Sequence, residues 1–175
     1  MRVALLEPLG VSEATIRELA APIEAAGHEF AYYDEKTTDA AELARRSAGA
    51  NVVMIANSPY PAEVVRAADA LKMIAVAFTG IDHVGLDACR ERGVTVCGTP
   101  GSPTAAPELT WALLLAAARH LPAEENSLRA GTWQSTVGFE LAGKTLGIVG
   151  LGKIGRRIAG YGQAFGMDVV AWSQN

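Results

Sequence analysis

Short apolar runs alternate with helix-forming segments along the chain. Five such runs lie before residue 98, at 2–7, 29–33, 51–55, 72–78 and 94–96. Residues that commonly begin helices stand between them, including Ser12, Thr38, Asp39 and Pro61. Strands that alternate with helices build a parallel sheet with helices on both faces. The sequence therefore predicts an α/β fold with a parallel sheet.

Two of the predicted helices depend on the position of a proline. The first runs from Ser12 to about Ala26 and contains Pro22, which removes a backbone donor and is predicted to split or kink it. Pro61 suits the first turn of a helix that is predicted to extend to about Ala70.

A cluster of proline and glycine at 98–107 interrupts the alternation and is the best candidate for a hinge. We therefore predict two domains, 1–98 and 99–175. The second begins with a helix over 105–120, in which residues 111–118 are apolar around most of the helix. A helix of that kind is predicted to be buried, either in a core or in a contact between subunits.

Composition excludes several classes of function. Half of the residues are hydrophobic and the formal net charge is −4, which argues against a surface for nucleic acid or anionic membrane. The longest apolar run is too short to span a bilayer, and the first ten residues show no secretory signal. Cys89 and Cys97 form no CxxC pair, and we expect both thiols to be buried. We expect a cytoplasmic protein without a metal site.

A GxGxxG pattern follows the apolar strand predicted at 144–150 and begins a helix. In this context Gly150 allows a tight turn, Gly152 lets the backbone approach a pyrophosphate, and Gly155 lets helix and strand pack closely. The free N–H groups of Lys153 and Ile154 favour an anion at the helix N-terminus. The pattern predicts the first β-α-β part of a Rossmann dinucleotide-binding domain.

The residue after the next strand bears on the choice of cofactor. An acidic residue there would bind the ribose hydroxyls and indicate NAD, but this chain has Ser173, followed by Gln174 and Asn175. Ser173 can still hydrogen-bond a ribose and does not repel a 2′-phosphate. We expect NAD, and the residues leave NADP open.

Three segments together resemble the D-isomer-specific 2-hydroxyacid dehydrogenases, the family of phosphoglycerate, glyoxylate/hydroxypyruvate, D-lactate and formate dehydrogenases. They are 75–84, 107–115 and 140–155, the last continuing through 165–167. The resemblance covers essentially the whole chain and corresponds to the N-terminal half of the family's fold. It implies a flavodoxin-like, parallel-sheet substrate domain, followed by the start of the nucleotide domain.

The resemblance also implies roles for single residues. The backbone amides of Thr79 and Gly80 meet the substrate carboxylate, Thr79 also lies near the cofactor, and Asn57 and Ser58 line the substrate site. The substrate is a small 2-hydroxy or 2-keto acid. The helix that contains residues 111–118 belongs to the family's dimer contact, so a homodimer is implied.

The family's catalytic Arg, Glu and His are expected beyond residue 175, so no catalytic residue is assigned here, and this chain alone is expected to be inactive. His83 is the only nearby histidine, and a structural role suits it better than proton transfer. Two alternatives remain open. One is a non-catalytic dinucleotide-sensing or interaction protein, like the family's transcriptional corepressors, and the other is an inactive truncated fragment.

Overall fold

The computed structural model describes residues 1–174, which separate into two compact units. The first unit is Met1–Gly101, and the second begins at Ser102. In the first unit the elements are β1 Arg2–Leu5, α1 Glu13–Ala25, β2 Glu29–Tyr32, α2 Ala40–Ser47, β3 Val52–Ile55, α3 Ala62–Ala67, β4 Met73–Val76, α4 Leu86–Arg92 and β5 Thr95–Gly98. In the second they are α5 Ala105–Ala118, α6 Leu121–Arg129, β6 Thr145–Val149, α7 Lys153–Ala164 and β7 Asp168–Trp172.

The first unit contains a five-stranded parallel sheet in the order β2-β1-β3-β4-β5. The register places Val3 opposite both Phe30 and Val52, and Val52 opposite Met73. The strand order reverses between β1 and β3, and the loops at the carboxyl ends of strands beside such a reversal commonly bind ligands. The predicted α/β fold with a flavodoxin-like parallel sheet is confirmed.

Local capping explains where several helices begin and end. The side chain of Ser12 accepts a hydrogen bond from the Thr15 N–H at the start of α1, and Asp39 accepts one from the Ala41 N–H at the start of α2. Gly93 ends α4 in the left-handed region, at φ 65°. Pro22 does not split α1, which continues through it to Ala25, so the prediction of a split is wrong.

The core of the first unit lies between the sheet and its helices. Tyr60 is its largest fully buried side chain, and its hydroxyl donates to Ser47 Oγ at 2.9 Å, which in turn donates to the Leu43 carbonyl at 2.7 Å. Helix α3 ends at Ala67 rather than near Ala70, because Ala68 leaves helical geometry with φ −89° and ψ 76°.

The second unit consists of the parallel pair β6–β7 with helices around it. Trp111 on α5 is buried edge-on against Tyr161 and Phe165, at ring-centroid distances of 5.7 and 4.9 Å. Pro107 and Ala118 of α5 are also buried, whereas Leu109 and Leu113 are 61% and 60% exposed within residues 1–174. The core of the second unit therefore covers only part of α5, and burial of the remainder in a contact between subunits stays a prediction.

Cys97 corrects a second expectation of burial. Cys89 is buried in α4, and burial raises the pKa of its thiol. Cys97 lies in β5 at the edge of the sheet and is exposed. An edge strand has a neighbouring strand on one side only, and Cys97 therefore remains open to solvent.

Candidate functional site

The candidate substrate residues of the first unit follow two strands of the sheet. Asn57 and Ser58 come after β3, and Thr79 and Gly80 come after β4. Because β1, β3 and β4 are parallel neighbours, these loops and Glu7, which follows β1, leave the sheet at the same edge. The fold thus places all four predicted residues at the carboxyl edge of one sheet.

Thr79 connects the loops that follow β4 and β5. Its hydroxyl donates to the Thr99 carbonyl and accepts from the Gly101 N–H, both at 3.3 Å. Gly98 permits this approach, because a Cβ there would lie 2.9 Å from the Phe78 carbonyl oxygen. Side chains at Gly98 are therefore excluded, and the two loops are held together.

The turn at Gly80 leaves backbone donors available. Thr79 and Gly80 are both exposed, and neither N–H makes a hydrogen bond within residues 1–174. The nearest atom to a Cβ at Gly80 would be an Asp82 carboxylate oxygen at 3.8 Å, so the space beside the turn is open. Successive free N–H groups in a turn can accept an anion such as a carboxylate.

A buried carboxylate holds the loop after β3, and the sequence analysis did not identify it. Glu7 is 2% exposed, and its Oε1 accepts from the N–H groups of Ala56 at 2.7 Å and Ser58 at 2.8 Å. Its Oε2 lies 4.0 Å from Nζ of Lys36. The only sequence signal is a charged residue at the end of an apolar strand.

The two predicted residues of this loop differ in exposure. Asn57 is exposed, whereas Ser58 is completely buried. Ser58 Oγ has no hydrogen-bond partner within residues 1–174. Within this geometry Asn57 is available to a ligand from solvent, and the Ser58 side chain is not.

His83 lies in the loop that begins with Thr79 and Gly80. Its carbonyl accepts from the Tyr60 N–H at 2.8 Å, as part of a parallel bridge between Tyr60 and Val84. Its Nε2 is buried and lacks a partner within residues 1–174. The bridge gives His83 a structural role through its backbone.

The glycine turn of the second unit has the geometry that dinucleotide-binding turns require. Gly150 has φ +95°, which favours glycine, and its N–H donates to the Trp172 carbonyl at 2.7 Å. A Cβ on Gly155 would lie 2.1 Å from the Gly150 carbonyl oxygen, so only glycine permits this approach of α7 to β6. Gly152 begins α7 with open space where its Cβ would be.

The N-terminus of α7 is open to solvent. Lys153 and Ile154 are exposed, and their N–H groups have no partner in the part of the chain that the structure describes. The side chain of Arg156 folds back onto the turn, where its Nε donates to the Leu151 carbonyl at 3.1 Å. Free N–H groups, the helix dipole and a guanidinium together favour an anion here.

Ser173 follows β7 at the same sheet edge. The carbonyl of the preceding Trp172 accepts from the Gly150 N–H, so Ser173 follows directly on a residue that contacts the glycine turn, and it is exposed. Asn175, which the sequence analysis named after Ser173 and Gln174, lies outside the described residues. The structure thus brings Gly150, Gly152, Gly155 and Ser173 to one end of the β6–β7 pair.

Residues 1–174 contain neither a candidate metal site nor a candidate membrane span. No group of three or more His, Cys, Asp or Glu side chains has the arrangement of a metal site there. None of the helices described there combines the length and apolar character needed to cross a membrane.

The fold and the two sets of loops define a class: an α/β protein with a parallel sheet and a Rossmann-type glycine turn. The model for the catalytic domain of the D-isomer specific 2-hydroxyacid dehydrogenases matches residues 3–163. The chain belongs to this family, and the resemblance found in its three segments is confirmed.

Individual relatives agree with this assignment. D-3-phosphoglycerate dehydrogenase of Rattus norvegicus is 45% identical over 114 residues, which are 63% of this chain and 21% of that enzyme. Hydroxypyruvate reductase of Thermotoga maritima is 40% identical over 114 residues, which are 63% of this chain and 37% of that enzyme. Each of these names is that of the relative and not of this chain.

Solved structures resemble the chain over its full length. A protein of Thermus thermophilus has a TM-score of 0.88 and 36% identity, with 100% of this chain and 57% of that chain covered. A phosphoglycerate oxidoreductase of Vibrio cholerae has a TM-score of 0.81 and 34% identity, with 100% and 56% covered. The chain thus spans little more than half of these structures, and the matched segments span less of the curated relatives.

Proposed function

We propose that this chain supplies the substrate-carboxylate loops and the cofactor turn of an NAD(P)-dependent oxidoreductase. Its substrate is a small D-2-hydroxy acid, oxidised at the CH–OH group, or the corresponding 2-oxo acid in the reverse direction. The single observation that carries the proposal is the turn from Gly150 to Gly155. Its close approach of helix to strand and its free N–H groups suit a pyrophosphate.

Each unit has its own part in the proposed reaction. In the first, the backbone N–H groups of Thr79 and Gly80 bind the substrate carboxylate, and Asn57 contacts the substrate. In the second, the N–H groups of Lys153 and Ile154 bind the cofactor pyrophosphate, and Ser173 hydrogen-bonds the adenine ribose. When bound, the nicotinamide of the cofactor supplies the hydride acceptor or donor.

The remaining requirement is proton transfer at the substrate hydroxyl. We assign that step to none of residues 1–174. The Nε2 of the His83 imidazole is buried, and the family resemblance implies an Arg, a Glu and a His outside these residues. We therefore propose that the 175 residues alone bind ligands without turning them over.

Titration of the purified chain with NADH, followed by nicotinamide fluorescence, tests the proposal. We expect saturable binding that ADP competes away, because both ligands carry the pyrophosphate. Adding NADH together with glyoxylate or hydroxypyruvate is expected to give no oxidation by the chain alone. Absence of NADH binding would contradict the proposal, whereas NADH binding that neither acid affects would favour the dinucleotide-sensing alternative.

Ser173 gives a prediction about cofactor choice. Ser173→Asp places a carboxylate where it can accept from the ribose hydroxyls and repel a 2′-phosphate. We expect the ratio of NADPH to NADH dissociation constants to rise at least about tenfold, which corresponds to about 1.4 kcal/mol. Ser173→Asn, which is uncharged and close in size to the aspartate, is the control and is expected to leave the ratio nearly unchanged. An equal ratio in Ser173→Asp and the parent chain would remove Ser173 from the ribose site.

A further inference from the structure

Glu7 has no assigned role in the proposed reaction, yet it is the most unusual buried residue of the first unit. It is 2% exposed and stands two residues after β1, beside the reversal of strand order between β1 and β3. Burying a carboxylate is unfavourable unless its oxygens are hydrogen-bonded or paired with a charge. An apolar side chain would fill the same space without that cost, so the carboxylate itself needs an explanation.

The partners of Glu7 show what it holds. A single oxygen, Oε1, accepts from the N–H groups of Ala56 and Ser58, at 2.7 and 2.8 Å. The other oxygen lies 4.0 Å from Nζ of Lys36, which is half exposed. Glu7 thereby fixes the backbone on both sides of Asn57, across sequence separations of 49 and 51 residues.

Asn57 is left free by this arrangement. Its side chain is exposed, and its N–H makes no hydrogen bond within residues 1–174. The amides before and after it point to one oxygen of Glu7, so rotation of the loop would break at least one of two buried hydrogen bonds. The backbone of this loop cannot readily rotate, and it therefore keeps the Asn57 side chain exposed to solvent.

We propose that Glu7 is a positioning residue for substrate binding: its buried carboxylate holds the Ala56–Ser58 backbone so that Asn57 contacts the 2-oxo acid. The inference rests on the proposed function, since it requires that a 2-oxo acid binds at this sheet edge. It assigns Glu7 no contact with substrate and no proton-transfer step. Glu7 contributes the position of its acceptor oxygen, which is set by the length of the side chain, rather than its negative charge.

Two substitutions separate the effect of side-chain length at position 7 from the effect of its charge. Glu7→Gln keeps an oxygen at the same distance and removes the charge, whereas Glu7→Asp keeps the charge and is one methylene shorter. Asn51→Ala is the matched control at the opposite end of β3, where the Asn51 side chain accepts from the Arg2 N–H at 2.9 Å and donates to the Ala70 carbonyl at 3.3 Å. Each of the three variants loses or alters a side-chain hydrogen bond at one end of β3.

The measurement is the binding of glyoxylate and hydroxypyruvate to the chain saturated with NADH, by calorimetric titration, together with amide hydrogen exchange at 56–58. For Glu7→Asp we expect the Kd for both acids to rise about tenfold while the Kd for NADH stays within about threefold, because only the substrate loop is displaced. Exchange at Ala56 and Ser58 is expected to accelerate. Glu7→Gln should keep both properties near the parent values, and Asn51→Ala should lower Tm without changing the Kd for either acid.

Three results would overturn the inference: unchanged exchange at 56–58 in Glu7→Asp, faster exchange with an unchanged Kd for the acids, or an equally high Kd in Glu7→Gln. Failure of the proposed function looks different. In that case the parent chain itself binds neither NADH nor either acid, whatever the exchange rates of the variants.

Discussion

Tyr60 gives the clearest prediction at the scale of one residue. Burial raises the pKa of its hydroxyl to about 12, although the hydrogen bond with Ser47 acts in the opposite direction. In the unfolded chain tyrosine releases its proton near pH 10. Between about pH 10 and 12 the unfolded state therefore binds fewer protons than the folded state, and the free energy of unfolding falls by up to about 1.4 kcal/mol per pH unit.

We expect Tyr60→Phe to reduce this alkaline loss, because the titrating hydroxyl is gone. At pH 7 the variant should lose about 1 kcal/mol with the hydrogen bond to Ser47. Urea unfolding at intervals from about pH 7 to 11 measures both effects. Ser47→Ala is the control: it removes the same hydrogen bond but keeps the tyrosine, so the alkaline loss should persist. A parent-like alkaline slope in Tyr60→Phe would contradict the assignment.

Residues differ in how far sequence alone could predict them. Ser12 was predicted as a helix cap, and Asp39 as one of two candidates beside Thr38, because a cap bonds to an N–H within three residues, which a sequence pattern can show. Glu7 was missed because its partners at Ala56 and Ser58 are distant in sequence and no local pattern marks them. The proposed roles of Asn57, Thr79 and Gly80 stay predictions, because position at a sheet edge does not establish a ligand.

At the scale of elements, the glycine turn joins β6 to α7 through a contact that admits no side chain. Gly155→Ala would place its Cβ 2.1 Å from the Gly150 carbonyl oxygen, so turn and helix must move apart. We expect a loss of about 1–3 kcal/mol in stability and a rise of at least about tenfold in the NADH dissociation constant, about 1.4 kcal/mol.

Gly160→Ala is the matched control for this prediction, because Gly160 also lies in α7 and nothing approaches its Cβ position within 4 Å. Alanine there should keep NADH affinity and stabilise the helix by up to about 1 kcal/mol. Fluorescence titration measures the NADH affinity of both variants, and thermal unfolding measures their stability. Equal affinities in the two variants would show that the turn does not bind the cofactor.

The same turn shows what sequence patterns can predict at this scale. Strand, turn and helix were placed correctly because three glycines and an apolar run leave few alternatives. At Leu109 and Leu113, α5 is exposed within residues 1–174, and burial of this helix in a contact between subunits stays a prediction. An apolar helix is expected to be buried on most of its faces, but the sequence pattern does not identify the residues that cover them.

At the scale of the whole molecule, α5 presents exposed leucines that self-association could bury. Leu109 and Leu113 are each about three-fifths exposed, and large exposed apolar patches favour association. We expect the double variant Leu109→Gln and Leu113→Gln to lower the apparent mass in light scattering at a fixed concentration. The family resemblance implies a dimer through this helix, and the prediction tests that implication.

Leu19→Gln is the control, because Leu19 is a leucine of α1 in the first unit and is 71% exposed. It should leave the apparent mass of the chain unchanged. If the parent chain is already monomeric, or if the α1 and α5 variants behave alike, α5 is not the contact.

The strand order of the first unit has a consequence for synthesis on the ribosome. β1 and β2 pair first along the chain, β3 then adds to the free side of β1, β4 adds to β3, and β5 adds to β4. Each strand therefore meets an edge that is already available as it emerges, and none must be inserted between two earlier strands. A nascent chain can extend its sheet in the direction of translation, without waiting for later residues to complete an earlier pair.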